Sequence, residues 1–400
     1  MTIRSLLSAT IALVFAACSG GTGGLGEPRF VDCPAAPDSQ APNLAVGLDG
    51  ELYLSWVEPR ENGHAFRFSI WRAGQWSTPR TVAEGDDWFV NWADFPSMAA
   101  LEDGTLAAHW LVRSGSGTYA YDVNLSLSHD GGATWGEPFR PHDDGTETEH
   151  GFVSLVAAPE GRFEILWLDG RQMADTPSGP MTLRHATLDP DGRLTSGGVV
   201  DDRVCDCCST DALRAGDGAT LVVYRDRSDS EVRDISVARL DGSTWSNARS
   251  VHADGWEIPA CPVNGPAVEG SGNVMAVAWF SAARETPVVQ VAFSTDGGRS
   301  FDAPVRVDHG SPLGRVDLAF ADDGWALVSW LEQEGERATI FLRPVRASGA
   351  LESIPIATTD AARSSGFPRM ARLGDEIVLA WTEPGEPSRI RTAVLSLLPS

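Results

Sequence analysis

A hairpin ending in an aromatic residue recurs seven times along this chain, and that recurrence constrains the fold more than any other feature. The second halves run Glu51–Trp56, Thr105–Trp110, Arg162–Trp167, Ala219–Tyr224, Val274–Trp279, Trp325–Trp330 and Glu376–Trp381. Their terminal aromatics stand 54, 57, 57, 55, 51 and 51 residues apart. Five copies place glycine six residues before the aromatic (Gly50, Gly104, Gly161, Gly218, Gly324), and Asn273 and Asp375 hold that place in the other two. These residue types tolerate the positive φ of a tight hairpin, so each unit opens with two antiparallel strands, A and B. Two further apolar runs supply strands C and D. Strand D often follows an aromatic-x-x-Pro pattern, at Trp76–Pro79, Trp135–Pro138 and Phe301–Pro304, and more loosely at Trp245–Ala248. Proline cannot donate to a ladder, which makes D the outer edge.

Four strands per repeat predict an all-β chain, a β-propeller of four-stranded blades. Seven hairpins predict seven blades, with six the alternative. The last hairpin is followed by one more strand, Arg389–Leu397, and then lacks its D. Leu25–Val31 repeats the spacing of a strand D. It is expected to complete the last blade and close the ring, removing exposed sheet edges. The expected organisation is a leader at 1–17, a linker at 18–24 and one propeller domain at 25–400.

Fourteen tryptophans against four tyrosines follow from the repeat, since six of the anchors are Trp and Trp76, Trp135 and Trp245 open strand D. The formal charge is −24 and the chain has no lysine. A phosphate-binding surface depends on Lys and Arg, so a nucleic-acid partner is not expected. Schiff-base and P-loop lysine chemistry are excluded.

The N-terminus carries Arg4, an apolar run from Leu6 to Ala17, and Cys18. This run is too short for a membrane span and has the shape of a secretory signal. Phe15-Ala16-Ala17-Cys18 resembles the lipobox of bacterial lipoproteins. The resemblance implies a lipid anchor on Cys18, and Ser19 after it implies the outer membrane of a Gram-negative cell envelope. An ordinary cleaved signal is the alternative.

The turn between strands C and D carries a specific motif. Ser128, Asp130, Gly132 and Trp135, and again Ser294, Asp296, Gly298 and Phe301, fit Ser-x-Asp-x-Gly-x-x-aromatic, with Leu240–Trp245 a worn copy. The chain resembles the sialidase-like, Asp-box (BNR-repeat) propeller superfamily over nearly all its mature length. In that superfamily the Asp caps backbone N–H groups and the aromatic packs between strands, so these residues are structural.

Strands alternate in direction, so A–B and C–D turns share one face and B–C and D–A loops the other. The resemblance implies a ligand site on the second face. Cys33, Cys205, Cys207, Cys208 and Cys261 all fall in D–A loops there. Five is odd, so at least one thiol is not in an internal disulfide. For Cys205, Cys207, Cys208 and Cys261 two readings stand. One is a loop-stapling disulfide worth about 2–4 kcal/mol. The other is a thiolate site for a soft metal ion, copper or zinc. His142, His150, His252 and His309 lie at strand-D ends or in D–A loops and are expected as solvated rim residues, with a ligand role the alternative.

Arg225 and Arg227 flank Asp226 where strand B of the fourth unit ends, offering guanidinium forks to an anion, with Asp226 as an acid. A mutually satisfied ion network is the alternative. Arg315 shares that face, as do Trp88, Trp92 and Trp256, which suit either stacking on sugar rings or packing between blades.

The sialidase-like mechanism requires an Arg trio, a late Tyr nucleophile paired with Glu, and an Asp acid/base. No tyrosine follows Tyr224, and Tyr224 occupies an anchor position. The sequence therefore favours a lipid-anchored module binding a glycan or an envelope protein. A glycoside hydrolase of exo-sialidase type using Arg225, Arg227 and Asp226 is one alternative, and a thiolate metal or redox protein is another.

Overall fold

The computed structural model describes residues 24–176, 178–321 and 324–398. The leader at 1–17 and Cys18 lie outside these described residues. Seven antiparallel sheets form seven blades, and the sequence reading of seven rather than six holds. Blade 1 spans Gln40–Gly85, blade 2 Ser97–Ser128, blade 3 His150–Val204 and blade 4 Asp211–Ser250. Blades 5 and 6 span Ala267–Arg306 and Pro312–Asp360. Blade 7 takes three strands from Arg369–Ser396 and its outer one from Arg29–Val31. Phe30 pairs with Ala393 there, so the N-terminal strand closes the ring as its spacing predicted.

Blade 2 departs from the four-stranded pattern. Its fourth strand shrinks to one bridge between Leu125 and Phe139. Pro138 and Pro141 flank Phe139, and neither can donate to a ladder.

Seven buried clusters fill the seven gaps between neighbouring blades, and each contains one strand-B anchor. Trp56 sits between blades 7 and 1, Trp110 between 1 and 2, and Trp167 between 2 and 3. Tyr224, Trp279, Trp330 and Trp381 occupy the next four gaps in order. The repeat is thus read out as one large aromatic wedged against each preceding blade. Trp167 and Trp330 keep their indole N–H satisfied by a carboxylate two residues on, Asp169 at 2.9 Å and Glu332 at 2.6 Å.

The Asp-boxes are turn locks. Asp130 Oδ1 accepts from the backbone N–H of Ala133 (3.0 Å) and Thr134 (2.8 Å), and Asp296 Oδ1 does the same for Arg299 and Ser300 (both 2.9 Å). Ser128 and Ser294 accept from Gly132 and Gly298. Gly298 has φ +76°, and a Cβ there would lie 2.3 Å from Leu221 of the preceding blade. Trp135 and Phe301 pack against the cores of the 1–2 and 4–5 gaps.

A second lock joins innermost strands and their entry loops. Asp94 accepts from Phe152 N–H (2.9 Å), Asp211 from Val268 N–H (2.8 Å) and Asp317 from Met370 N–H (2.6 Å). Each ties one blade to the next around the central channel. Among the described residues no helix is long and apolar enough to cross a membrane.

Candidate functional site

The B–C and D–A loops gather around a cavity of about 520 Å³. Its walls come from the loop entering blade 2 (Trp92, Asp94), strand C of blade 2 (Tyr121) and the loop entering blade 3 (Glu149). The loops entering blades 4 and 5 add Asp206, Cys207 and Cys261, and the loop entering blade 7 adds Arg363. A second cavity of about 430 Å³ adjoins it, and Trp92 lines both.

At the base of the first cavity the Tyr121 hydroxyl lies 2.8 Å from Asp94 Oδ2 and 2.8 Å from Glu149 Oε1. Tyr121 and Asp94 are buried, while Glu149 is partly exposed. Burial pushes the Asp94 carboxyl up to about 7 and the Glu149 carboxyl up to about 8, against the hydrogen bond from Tyr121. Burial and the two neighbouring carboxyls raise Tyr121 well above the ordinary phenol range. A single O–H donates to one acceptor at a time. One of the two carboxyls must therefore hold a proton and donate to the phenol oxygen when both contacts are made.

Gly151 leaves room for this triad. A Cβ on it would lie 2.0 Å from Asp94 Oδ2 and 2.7 Å from the Tyr121 ring.

The cysteine cluster forms one wall. Cys205 Sγ lies 3.4 Å from Cys208 Sγ and 3.8 Å from Cys207 Sγ, and none of the five described cysteines forms a disulfide. Arg233 donates to Cys205 Sγ (3.2 Å) and the Asn264 N–H to Cys208 Sγ (3.4 Å). Hydrogen bonds from Cys207 and Cys208, with the nearby Arg225 charge, hold the Cys205 thiol well below its ordinary range against the effect of burial. Cys261, from the next loop, is exposed and has Sγ 4.0 Å from Asp206 Oδ2. The three thiols of one loop have the spacing of metal ligands. Cys33 packs between blades 7 and 1, where burial pushes its thiol up to about 11.

A further cluster on this face corrects the reading of two histidines as solvated rim. His142 and His150 are buried and stacked, with ring centroids 3.9 Å apart and planes at 5°. Asp122 and Asp144 bracket the His150 ring at 3.3 and 3.2 Å, and Asp169 lies 3.8 Å from its Nε2. Arg171 forms a fork with Asp169, both bonds 2.7 Å. Two overlapping sets here, Asp122–His142–His150 and Asp144–His150–Asp169, also have metal-ligand spacing. The segment from Phe139 to Glu149 runs along strand C of blade 2, where Val123 N–H donates to His142 Nε2 at 3.4 Å, and Asp144, Asp169 and Arg171 close over it, which is why these histidines are enclosed. His252 and His309 are exposed, as expected.

The remaining candidates part company. Trp92 lines the cavities, with Arg315 5.0 Å and Arg363 5.8 Å from its ring centre and Phe367 stacked at 5.7 Å. Trp88 and Trp256 are buried instead, Trp88 stacked on Trp110 and Trp256 edge-on to Phe280. They pack between blades and present no face for stacking on a sugar.

Arg225 is 1% exposed and donates to the carbonyls of Asn264 (2.9 Å), Arg233 (2.7 Å) and Phe280 (2.8 Å). It has no outward fork for a ligand anion. Arg315 is likewise committed to Ala362 O, Ser365 Oγ and Gly366 O. Burial, and the Arg363 charge, lower its pKa to about 10.

Arg227 clasps Glu231, and Asp226 accepts from Arg227 N–H and Ser236 Oγ, which is the self-satisfied network weighed above. Sequence reasoning missed Asp94, Tyr121 and Glu149. The signal available in the sequence is the shared face: Asp94 and Glu149 fall in D–A loops, and Tyr121 opens strand C at the same end of blade 2.

No family model matches the sequence, and comparison with curated proteins finds no relative. Among solved structures the chain is similar to a protein of unknown function from Dyadobacter fermentans, with TM-score 0.54, 14% identity and coverage of 93% of this chain and 98% of that one. It is also similar to the polysaccharide lyase Uly1, with TM-score 0.55, 10% identity and 90% of each chain covered. At such identities the likeness is one of fold, a many-bladed propeller.

Proposed function

We propose that this chain is an exported glycan-active enzyme whose proton-transfer group is Glu149, positioned by Tyr121 and Asp94. The observation that carries the reading is the Tyr121 hydroxyl shared between two carboxyls. It requires a proton on one of them, with both poised near neutrality. A carboxyl in that condition suits proton transfer to a glycosidic oxygen, or from a carbon beside a sugar carboxylate. Glu149 is the member with access to the cavity, and Asp94 is enclosed behind it. Two adjoining cavities divided by Trp92 suit a chain-like ligand crossing an aromatic ridge. Uly1, by its name a polysaccharide lyase, shares the fold, which is consistent with a polysaccharide substrate.

The test is a panel of polysaccharides and sialosides, read by new reducing ends for hydrolysis and by unsaturated-sugar absorbance for elimination. Turnover by the wild type is expected, with a loss of about a hundredfold or more in Glu149→Gln. No turnover across the panel, with glycan binding retained and lost in Trp92→Ala, would leave a binding module instead.

Export and attachment rest on residues 1–18. Fatty-acid labelling of the wild type, absent in Cys18→Ser, is expected for outer-membrane anchoring. A cleaved, unlabelled product would overturn it.

A further inference from the structure

We infer that Cys205, Cys207 and Cys208 bind one zinc ion in the wall of the cavity, with Cys261 from the neighbouring loop closing the fourth position. The first support is geometry. A tetrahedral zinc–thiolate centre with bonds of about 2.3 Å places its sulfurs about 3.8 Å apart. The Cys205 sulfur lies 3.8 Å and 3.4 Å from its two partners, far beyond disulfide length. Cys261, exposed in the neighbouring loop, lines the same cavity wall as Cys207 and stands outside the three-sulfur group, so closing the fourth position requires its side chain to swing in.

The loops are held to this arrangement by backbone. A Cβ on Gly265 would lie 2.1 Å from Ser209 O, so the two cysteine-bearing loops can touch here only through glycine. The Asn264 N–H and the Arg233 guanidinium both donate to sulfur, the outer-shell contacts that thiolate ligands need.

The second support is charge, and it is independent of spacing. Arg225 is a fully buried cation whose three nitrogens all bond to backbone carbonyls, with no carboxylate among those partners. Arginine cannot shed its proton, so burying it demands a counter-charge. Nearby Arg227 and Arg233 are matched by Glu231 and Asp206. Arg225 has the Trp256 ring 4.9 Å from its guanidinium carbon but no ion pair with a carboxylate among the described residues, so its full charge is not neutralised. Three neutral thiols would not answer it. Three bare thiolates within 4.8 Å of one another would repel. Three thiolates around a divalent ion carry one net negative charge, which is the charge Arg225 requires. Cys261 is exposed, so water screens the charge its thiolate adds. Binding releases the thiol protons to solvent and changes no oxidation state.

Zinc rather than calcium or magnesium follows from the sulfur donors. With Cys261 as the fourth ligand no position stays open for water or substrate, which fits a structural centre that would fix the wall presenting Cys207 and Asp206 to the cavity.

The experiment uses the whole mature chain, purified under reducing conditions. Elemental analysis should find one zinc per chain, removable by chelator with a fall in Tm and restored with zinc. Cobalt substitution should give the charge-transfer and intense ligand-field bands of a tetrahedral thiolate site. Cys207→Ser and Cys208→Ser should lose the zinc, and Cys261→Ser should bind it more weakly while staying folded. The inference is overturned by a disulfide between Cys261 and one of the trio, by copper in place of zinc, or by wild-type chain that takes up no metal while its thiols titrate freely. No substrate enters these measurements, so their outcome is separate from that of the glycan reading.

Discussion

The Tyr121 hydroxyl lies 2.8 Å from Glu149 Oε1, and the same oxygen lies 2.8 Å from Asp94. The two acids are therefore not independent. They share a proton budget through one phenol, and the pair titrates as a unit.

This coupling has a sign that stability measurements can read. The folded-state carboxyls titrate at about 7 and about 8, above their ordinary values of 3.8 and 4.5. The native state binds more protons than the unfolded chain across that interval. Their contribution is fully present below about pH 4 and is lost as pH rises through about 7 to 8. Wild-type Tm should fall between about pH 5 and pH 8, and Asp94→Asn with Glu149→Gln should flatten that slope. A wild-type slope unchanged in the double variant would show that the acids do not hold the extra protons.

Gly151 offers a way to disturb the triad without removing any of its groups. An added methyl would lie 2.0 Å from Asp94 Oδ2, so Gly151→Ala must push Asp94 away from Tyr121. Overpacking of this kind costs about 1–3 kcal/mol. The variant should also bring the pH slope closer to that of the Asn/Gln double variant. Gly198→Ala is the control, because its Cβ would meet nothing within 4 Å. Equal effects of the two substitutions on Tm and on the pH slope would count against a strained triad.

The contrast between Trp330 and Tyr121 explains what the chain discloses in one dimension. Trp330 ends a short hairpin, and its place follows from residues within the same strand pair. The anchors, the Asp-box turns and the closing strand are all local patterns of this kind, so the propeller and its blade number were legible. Tyr121 meets Asp94 and Glu149 across 27 and 28 residues, and only the curvature of the ring brings those loops together. Arg225 misled for a related reason. A charged residue after an anchor looks exposed in sequence, but here strand B ends beneath the next loop, and the guanidinium is enclosed by three carbonyls. The cysteine cluster was visible because three of its members are nearly consecutive.

Ring closure itself can be tested at Thr392. Its hydroxyl donates to Val31 O at 2.9 Å and accepts from Trp76 Nε1 at 3.2 Å, so it joins the N-terminal strand, blade 7 and blade 1. Removing residues 24–31 would strip the outer strand from blade 7 and expose the Arg389–Ser396 edge. An unpaired edge is a template for another chain. The truncated protein should lose Tm and self-associate, and a synthetic peptide spanning residues 24–33 added in excess should restore both by re-occupying the edge. Thr392→Val keeps the strand but removes both hydrogen bonds, and should cost about 1–2 kcal/mol without association. A truncated chain that stays monomeric with wild-type Tm would mean that the ring is closed by packing between blades 7 and 1 alone.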